Sequence, residues 1–226
     1  SFDVRAGEIV GLAGVSGNGQ RTLAEVVAGL RPATQGEVIL GGRNITGQSP
    51  RTIMALGLSY IPEERMRDGM IREFTVAENL ILREFDQPPY ARSGFLNRGA
   101  IQRNSRELVK SYNVKTPSLE TPAKSLSGGN IQKLILAREI SRRPQVIIAA
   151  QPTRGLDIGA TEYVHARLLE QREQGTATLL ISEDLDEVLA LSDRILVIFE
   201  GRIMGDVPRA EATAEKLGLL MAGVEQ

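Results

Sequence analysis

The stretch "QVIIAAQPTRGLD", Gln145 to Asp157, decides how this chain is read. Val146 to Ala149 is a short apolar run of the length expected for a strand rising from a core. A Pro152-Thr153 turn follows, then Gly155-Leu156-Asp157. In phosphate-handling folds such a strand ends in acids that hold a metal and activate water. Here it ends in Ala150 and Gln151, neither of which ionises. The question is why an active-site strand would lack its charge.

Outward from that strand, the pattern alternates between strands and helices. Glu8 to Ala13 reads as a buried strand, followed by a glycine turn, Gly14 to Gly19. Leu23, Val26, Val27 and Leu30 then mark one helical face that stops near Gly29 to Pro32. Glu37 to Leu40 reads as a strand closed by Gly41-Gly42, and Leu58 to Ile61 as another stopped by Pro62. Thr75 to about Lys115 is expected to be mostly helical, with loop from Gln87 to Gly94. Beyond it, helices are expected at Ser127–Ile140, Ala160–Gln174, Asp184–Leu191 and Ala210–Met221. Strands are expected at Val146–Ala149, Thr176–Ile181 and Ile195–Phe199, with a last strand or hairpin arm at Gly201–Val207. The alternation implies an α/β fold with a mostly parallel sheet covered on both faces. The middle, which shows no strand pattern, reads as an inserted helical lobe.

Composition narrows the function classes. The 226 residues suffice for one sizeable core, with or without a small subdomain. Lys and Arg total 27 and Asp and Glu 28, so no global basic field or basic stripe speaks for a nucleic-acid partner. Cysteine is absent, which excludes disulfides and thiolate metal sites. No apolar run approaches the ~20 residues that span a bilayer, and no secretory signal opens the chain. Ser1-Phe2-Asp3-Val4 opens abruptly, as though cut from a longer polypeptide.

Two glycine-rich stretches carry the chemistry. "GVSGNGQRT", Gly14 to Thr22, has the strand-to-helix context and glycine spacing of a phosphate loop. In such a loop backbone N–H groups converge on phosphate oxygens at the positive end of a helix. The lysine position holds Gln20, however, and the metal-binding Ser/Thr position holds Arg21. A plain glycine turn closing a βα unit is the alternative. "SLSGGNIQK", Ser125 to Lys133, opens a helix: Ser127 can cap it, and Gly128 and Gly129 allow close approach to an anion. An ordinary N-cap is the alternative.

The ordered set of phosphate-loop-like turn, Leu126-Ser127-Gly128-Gly129, apolar strand with Pro-Thr, and Gly-Leu-Asp resembles an ABC transporter nucleotide-binding domain over nearly the whole chain. "GNGQRTLAEVVAGL", "YIPEERMRDGM", "TVAENL", "LSGGN" and "IAAQPTRGLD" resemble in particular the second, C-terminal and degenerate ATPase domain of tandem bacterial importers of simple sugars and nucleosides. "AAQPTRGLD" is closest to the nucleoside branch. The resemblance implies a P-loop NTPase core, an antiparallel β portion and a helical subdomain at about 75–142. It also implies that residues 1–226 are one such domain, lacking its first strand.

The same resemblance answers the opening question. It places Gly14, Ser16, Gly17, Asn18, Gly19, Gln20, Arg21, Thr22 and Glu63 around this domain's own nucleotide. Gln20 stands for the phosphate-neutralising Lys, Arg21 for the Mg²⁺-binding Ser/Thr, and Glu63 for a Gln that completes the metal shell. Ala150 stands for the Asp that orients the metal, Gln151 for the Glu acting on water, and Glu183 for the switch His. Metal ligation, water activation and the γ-phosphate sensor are thus lost together. No metal site is expected here, ATP is expected to bind weakly or without hydrolysis, and Mg²⁺ is expected mainly at a partner site. The signature Leu126, Ser127, Gly128, Gly129 and Asn130 would close over ATP held by a second ATPase domain, expected N-terminally on the same polypeptide. Asp157 would couple the two sites.

Further implied partners are transmembrane permease subunits and, indirectly, a solute-binding lipoprotein, at the cytoplasmic face of the bacterial inner membrane. The region from Glu63 to Asp68, together with Thr75 to Leu96, would face the permease. Alternatives from other classes are a competent standalone ATPase and a regulatory or interaction module that no longer meets nucleotide. His165, the one histidine, reads as structural. Arg21 is either solvated or a substitute for the missing lysine charge. Glu63-Glu64-Arg65 and Arg67-Asp68 read as a charged surface loop.

Overall fold

The computed structural model describes residues 1–224. In chain order the elements begin with β1 (Ile9–Ala13), α1 (Gln20–Val27), β2 (Ile39–Leu40), β3 (Arg43–Asn44), α2 (Pro50–Ala55) and β4 (Leu58–Ile61). There follow α3 (Val76–Leu80), β5 (Ala91–Arg92), β6 (Phe95–Leu96), α4 (Arg98–Ser111) and α5 (Gly128–Ile140). The chain continues with β7 (Val146–Ala150), α6 (Ile158–Glu173), β8 (Ala177–Ser182), α7 (Leu185–Leu191), β9 (Arg194–Phe199), β10 (Arg202–Pro208) and α8 (Ala214–Met221). Two compact units emerge. One comprises residues 1–60, 144–152 and 165–226; the other comprises 61–143 and 153–164.

The first unit holds a six-stranded sheet in the order β10-β9-β1-β8-β7-β4. β1 lies between β8 and β9 and runs parallel to both. β1 and β8 are buried along their whole length, which is why they read as unbroken apolar runs rather than alternating ones. Val10, Leu12, Ile148, Leu179, Ile181 and Leu196 pack on one side with Ala24 of α1 and Ile53 of α2. Val188, Ile195, Val197 and Leu217 form a second cluster with α7 and α8. Each fully buried Leu, Ile or Val contributes about 1.5–3 kcal/mol relative to exposure. The C-terminal arm is a true antiparallel strand: β10 pairs with β9, with a register shift between Ile203 and Gly205.

Register fixes what the sheet delivers to its carboxyl edge. Ala13 pairs with Ser182, and Ala150 pairs with Ile181. The residues following β1, β7 and β8 therefore emerge side by side: Gly14, Gln151 and Glu183. Ligands of open α/β sheets bind at this edge.

The second unit departs most from expectation. Thr75 to Lys115 is not mostly helical: α3 has five residues and α4 fourteen, with turns between them. The expected loop holds one strand of a two-stranded antiparallel pair whose other strand follows it, Ala91 pairing with Leu96 and Arg92 with Phe95. The start of α3 has a local cause. Thr75 Oγ1 accepts from Glu78 N (3.2 Å) while Glu78 Oε2 accepts from Thr75 N (2.8 Å), a capping box. Buried Asn79 then accepts from Ile71 N and donates to the carbonyls of Ile71, Phe74 and Thr75, holding the preceding loop. Two smaller differences lie in the first unit, where β3 and α2 appear where nothing was expected, and β2 has only two residues. The final helix starts at Ala214, after a 3-10 turn at Arg209–Glu211.

α5 is buried on nearly every side from Ile131 to Ile140. Its charged pair is buried with it. Arg138 Nε donates to Glu139 Oε1 (2.9 Å), Arg83 Nε donates to the same oxygen (3.0 Å), and Arg138 Nη2 donates to Gly69 O (2.8 Å). Burial pushes the Glu139 carboxyl up, but Arg138 and Arg83 overcome it, so its pKa lies below the usual carboxylate range.

Candidate nucleotide site and signature loop

The phosphate-loop residues lie in the first unit, between β1 and α1. Gly17 and Gly19 take positive φ of 90° and 106°, the left-handed conformations that aim successive N–H groups inward. Gly19 occupies the N-cap of α1 with no side-chain cap, so the first-turn N–H groups face the loop. Gly14 is glycine for a packing reason. A Cβ there would meet Gln20 Nε2, Ile198 Cγ2 and Ile198 O, each at 2.7 Å. Ser16, Gly17 and Thr22 are exposed.

Two side chains in this loop are committed to the loop itself. Gln20 is buried, and its Nε2 donates to Val15 O (3.0 Å), bracing the turn from beneath. Asn18 ties the loop to the β9–β10 turn: its Oδ1 accepts from Glu200 N (3.0 Å) and its carbonyl from Gly201 N (2.9 Å). Arg21 pairs with Glu25 one helical turn on (Nε to Oε1, 2.7 Å), a carboxylate also met by Arg31. The Arg21 hydrogen bond leads in holding the Glu25 carboxyl below the usual range.

Ala150 is buried and Gln151 follows it with a positive φ of 48°. Gln151 N donates to Ile181 O (2.8 Å), and its Oε1 accepts a long bond from Glu183 N (3.4 Å). The two positions at the ends of β7 and β8 are thus joined to each other, one neutral and one acidic. The donor set fits the anion of a nucleotide better than its metal. The backbone nest offers donors, whereas positions 21, 150 and 151 offer no carboxylate or hydroxyl. Among the described residues no group of three or more His, Asp or Glu is placed to hold a metal ion.

The signature lies in the second unit. Ser127 caps α5, its Oγ accepting from Asn130 N (3.4 Å) and Asn130 Nδ2 (2.9 Å). Asn130 Oδ1 in turn accepts from Lys115 N (2.8 Å), anchoring the cap. Leu126 is buried beneath the turn, while Ser127 and Gly128 are exposed. The two glycines have different reasons. A Cβ on Gly129 would press Ala160 Cβ of α6 at 3.2 Å; one on Gly128 would find nothing nearer than Arg65 Nη1 at 4.0 Å. Packing of α6 against α5 accounts for Gly129, whereas Gly128 leaves a helix N-terminus bare.

The neighbouring loop is part of this region. Asp157 Oδ1 accepts from Ala160 N (2.8 Å) and opens α6. Glu63 is placed in the second unit, ion-paired with Arg154 after the Pro152-Thr153 turn. Arg65, read from sequence as part of a charged surface loop, is only partly exposed, and its Nη1 is fully buried with no hydrogen-bond partner among the described residues. Nothing in "EERMRDG" distinguishes that arginine from its exposed neighbours. His165, in the first unit, bonds Glu187 Oε1 of α7 through Nε2 (2.9 Å), as suits a structural histidine.

A parallel sheet with a phosphate loop after its central strand, an antiparallel arm, and a capped Ser-Gly-Gly helix start define an ATP-binding cassette fold. A family profile described as ABC transporter matches residues 1–154. The guanosine import ATP-binding protein NupO of Bacillus subtilis (strain 168) is 50% identical over 226 residues, 100% of this chain and 44% of that protein. The nucleoside import ATP-binding protein NupA of Lactococcus lactis subsp. cremoris (strain MG1363) is 48% identical over 99% of the chain and 44% of that protein. Ribose import ATP-binding protein RbsA 1 of Rubrobacter xylanophilus is 41% identical over 100% and 45%. The chain belongs to the ABC transporter family.

It spans less than half the length of these relatives. Solved structures agree on the fold. A nucleotide-free ATP-binding cassette from an ABC transporter superposes with a TM-score of 0.79 at 23% identity, covering 97% of this chain and 86% of that one. A dimeric bacterial ABC transporter cassette gives 0.77 at 20% identity, covering 92% and 88%.

Proposed function

We propose that the chain is the second nucleotide-binding domain of an ATP-driven importer for nucleosides or simple sugars. It binds nucleotide at its own loop without hydrolysing it, and lends its signature to ATP held by a partner ATPase domain. The names of the relatives support the transport class, and the nucleoside branch stands first among them. The span of under half of each relative supports a second ATPase domain on the same polypeptide. Permease subunits and, through them, a solute-binding lipoprotein are then the remaining partners, at the cytoplasmic face of the inner membrane. No helix among the described residues is long and apolar enough to cross a membrane.

The observation that carries this reading is the contrast between two loops. At the ends of β7 and β8, Ala150, Gln151 and Glu183 offer no metal-orienting Asp, no Glu beside it and no histidine. Gln20 is spent inside its own loop. The signature, by contrast, is capped, with Ser127 and Gly128 exposed. Asp157, at the start of α6, is the residue proposed to couple the two composite sites, with Mg²⁺ held mainly at the partner's.

A single-turnover assay on the purified domain tests the hydrolytic half of the reading. No Mg-dependent release of phosphate above background is expected, and Gln151→Glu alone should not restore it. Wild-type turnover that disappears on changing Gln20 or Gln151 would overturn the reading.

A further inference from the structure

The second unit carries an apolar tip set among cations. The β5–β6 hairpin turns at Ser93 and Gly94, both with positive φ (51° and 82°), the tight turn that suits twisted strands. Its base is rooted. Tyr90 packs with Ala77, Ile81 and Ile101, and Asn97 N donates to Tyr90 O (2.7 Å). Its second strand is not. Phe95 is 81% exposed, the most of any large apolar side chain among the described residues, and Leu96 is 55% exposed. Successive strand residues point to opposite faces, so the exposure of both means that the tip protrudes rather than lying flat.

The charge around this tip has one sign. Residues 91–106 hold four arginines and no acid, in a chain of net charge -1. Arg92, Arg98, Arg103 and Arg106 are all exposed, and among the described residues none of them forms an ion pair; Arg106 meets only the Gln102 amide (3.4 Å). Arg103, Arg106 and Lys110 stand at i, i+3 and i+7 of α4, opposite the buried Ile101. The one acid of α4, Glu107, acts electrostatically on Tyr90 at the hairpin base. Arg98 is placed against local preference. It is the first residue of α4, after the Asn97 cap, where the helix end repels a cation. Helix stability therefore does not account for it. An apolar tip flanked by cations suits an anionic lipid surface, which attracts the arginines and admits the tip below its headgroups. A protein groove for Phe95 would need carboxylates at several fixed positions, whereas headgroups supply charge wherever the arginines lie.

We propose that the β5–β6 hairpin and the exposed face of α4 dock on anionic phospholipid headgroups, with Phe95 and Leu96 entering the bilayer interface and Arg92, Arg98, Arg103 and Arg106 meeting lipid phosphates. This rests on the membrane location proposed above. The basic run continues past Leu96, beyond the stretch expected to face the permease, so the lipid contact lies beside the permease contact.

The test uses the full-length protein, sedimented with vesicles of phosphatidylglycerol or of phosphatidylcholine, and in parallel its co-purification with the permease subunits in detergent. Wild type should bind phosphatidylglycerol, lose that binding in high salt, and bind phosphatidylcholine far less. Arg98→Gln and Arg103→Gln should each lower the phosphatidylglycerol partition coefficient about fivefold. Phe95→Ser should lower it about tenfold. Co-purification and melting temperature should not change. Arg5→Gln, at an exposed arginine of the first unit, should leave vesicle binding as it was. Absent phosphatidylglycerol binding, or binding indifferent to these variants, would overturn the proposal. So would variants that lose the permease subunits instead of the vesicles, which would make this surface a protein contact. Wild-type protein that does not co-purify with the permease subunits would overturn the transport reading, whatever the vesicles show.

Discussion

The phosphate loop and the signature loop are both glycine-rich turns that open helices, yet they keep their glycines for different ends. In the phosphate loop, Gly14 makes room for Gln20 and Ile198, and Gln20, Asn18 and Arg21 are bonded to protein groups. In the signature, a Cβ on Gly128 would crowd none of the described residues, and Ser127 and Gly128 stay exposed. The first loop commits three of its polar side chains to protein groups. The second leaves its helix start bare at Gly128. On the proposed reading, a site without its catalytic side chains keeps its backbone nest through packing such as that at Gly14.

The support beneath each loop can be broken separately. The largest effect is expected at Glu139, in the helix that the signature opens. Removing it by Glu139→Ala would leave Arg138 buried without its carboxylate, costing about 3–5 kcal/mol in a denaturant melt. The same pair sets an acid limit. The folded-state pKa of Glu139 is depressed, so its contribution is present above the unfolded carboxylate range and is lost as pH falls through the folded value. Melting temperature measured down the acid range should fall less steeply in Glu139→Gln than in wild type, from a lower start.

Gly14→Ala comes next. Its Cβ would strike a backbone carbonyl that cannot swing aside, so about 1–3 kcal/mol is expected, with nucleotide binding at that loop weakened too. Calorimetry that finds the variant as stable as wild type would remove the packing explanation for this glycine. Ser127→Ala should cost about 1 kcal/mol through the lost cap. Smallest is Arg21→Ala. Because Glu25 already meets that charge on an exposed surface, affinity for nucleotide at the phosphate loop should change by less than about 1 kcal/mol. A tenfold or larger loss would show that Arg21 leaves Glu25 to stand in for the missing lysine.

The sheet and both loops were legible in the sequence because their signals are local. Val146 to Ala149 is an apolar run bounded by turn residues, and Ser127-Gly128-Gly129 carries its own cap. The second unit was less legible for the same reason. Five-residue α3 exists through the Thr75–Glu78 box and the buried amide of Asn79, neither of which produces a hydrophobic period. Two-residue strands such as Ala91–Arg92 are too short to alternate. The partial burial of Arg65 was invisible because one half-buried charge among Glu63, Glu64, Arg67 and Asp68 looks like the rest of a solvated loop.

The central claim is that this domain acts through Ser127 to Gly129 and not through its own phosphate loop. Steady-state ATPase activity and uptake of the full-length transporter, compared for Gly128→Asp and Gln20→Ala, test it most directly. The Gly128 position has room for a side chain, so Gly128→Asp should fold, which thermal melts would check. Its carboxylate would then occupy the phosphate's place and bring repulsion to it. The account predicts that Gly128→Asp abolishes both activities while Gln20→Ala keeps most of each. A folded and active Gly128→Asp, or a Gln20→Ala as damaged as Gly128→Asp, would contradict it.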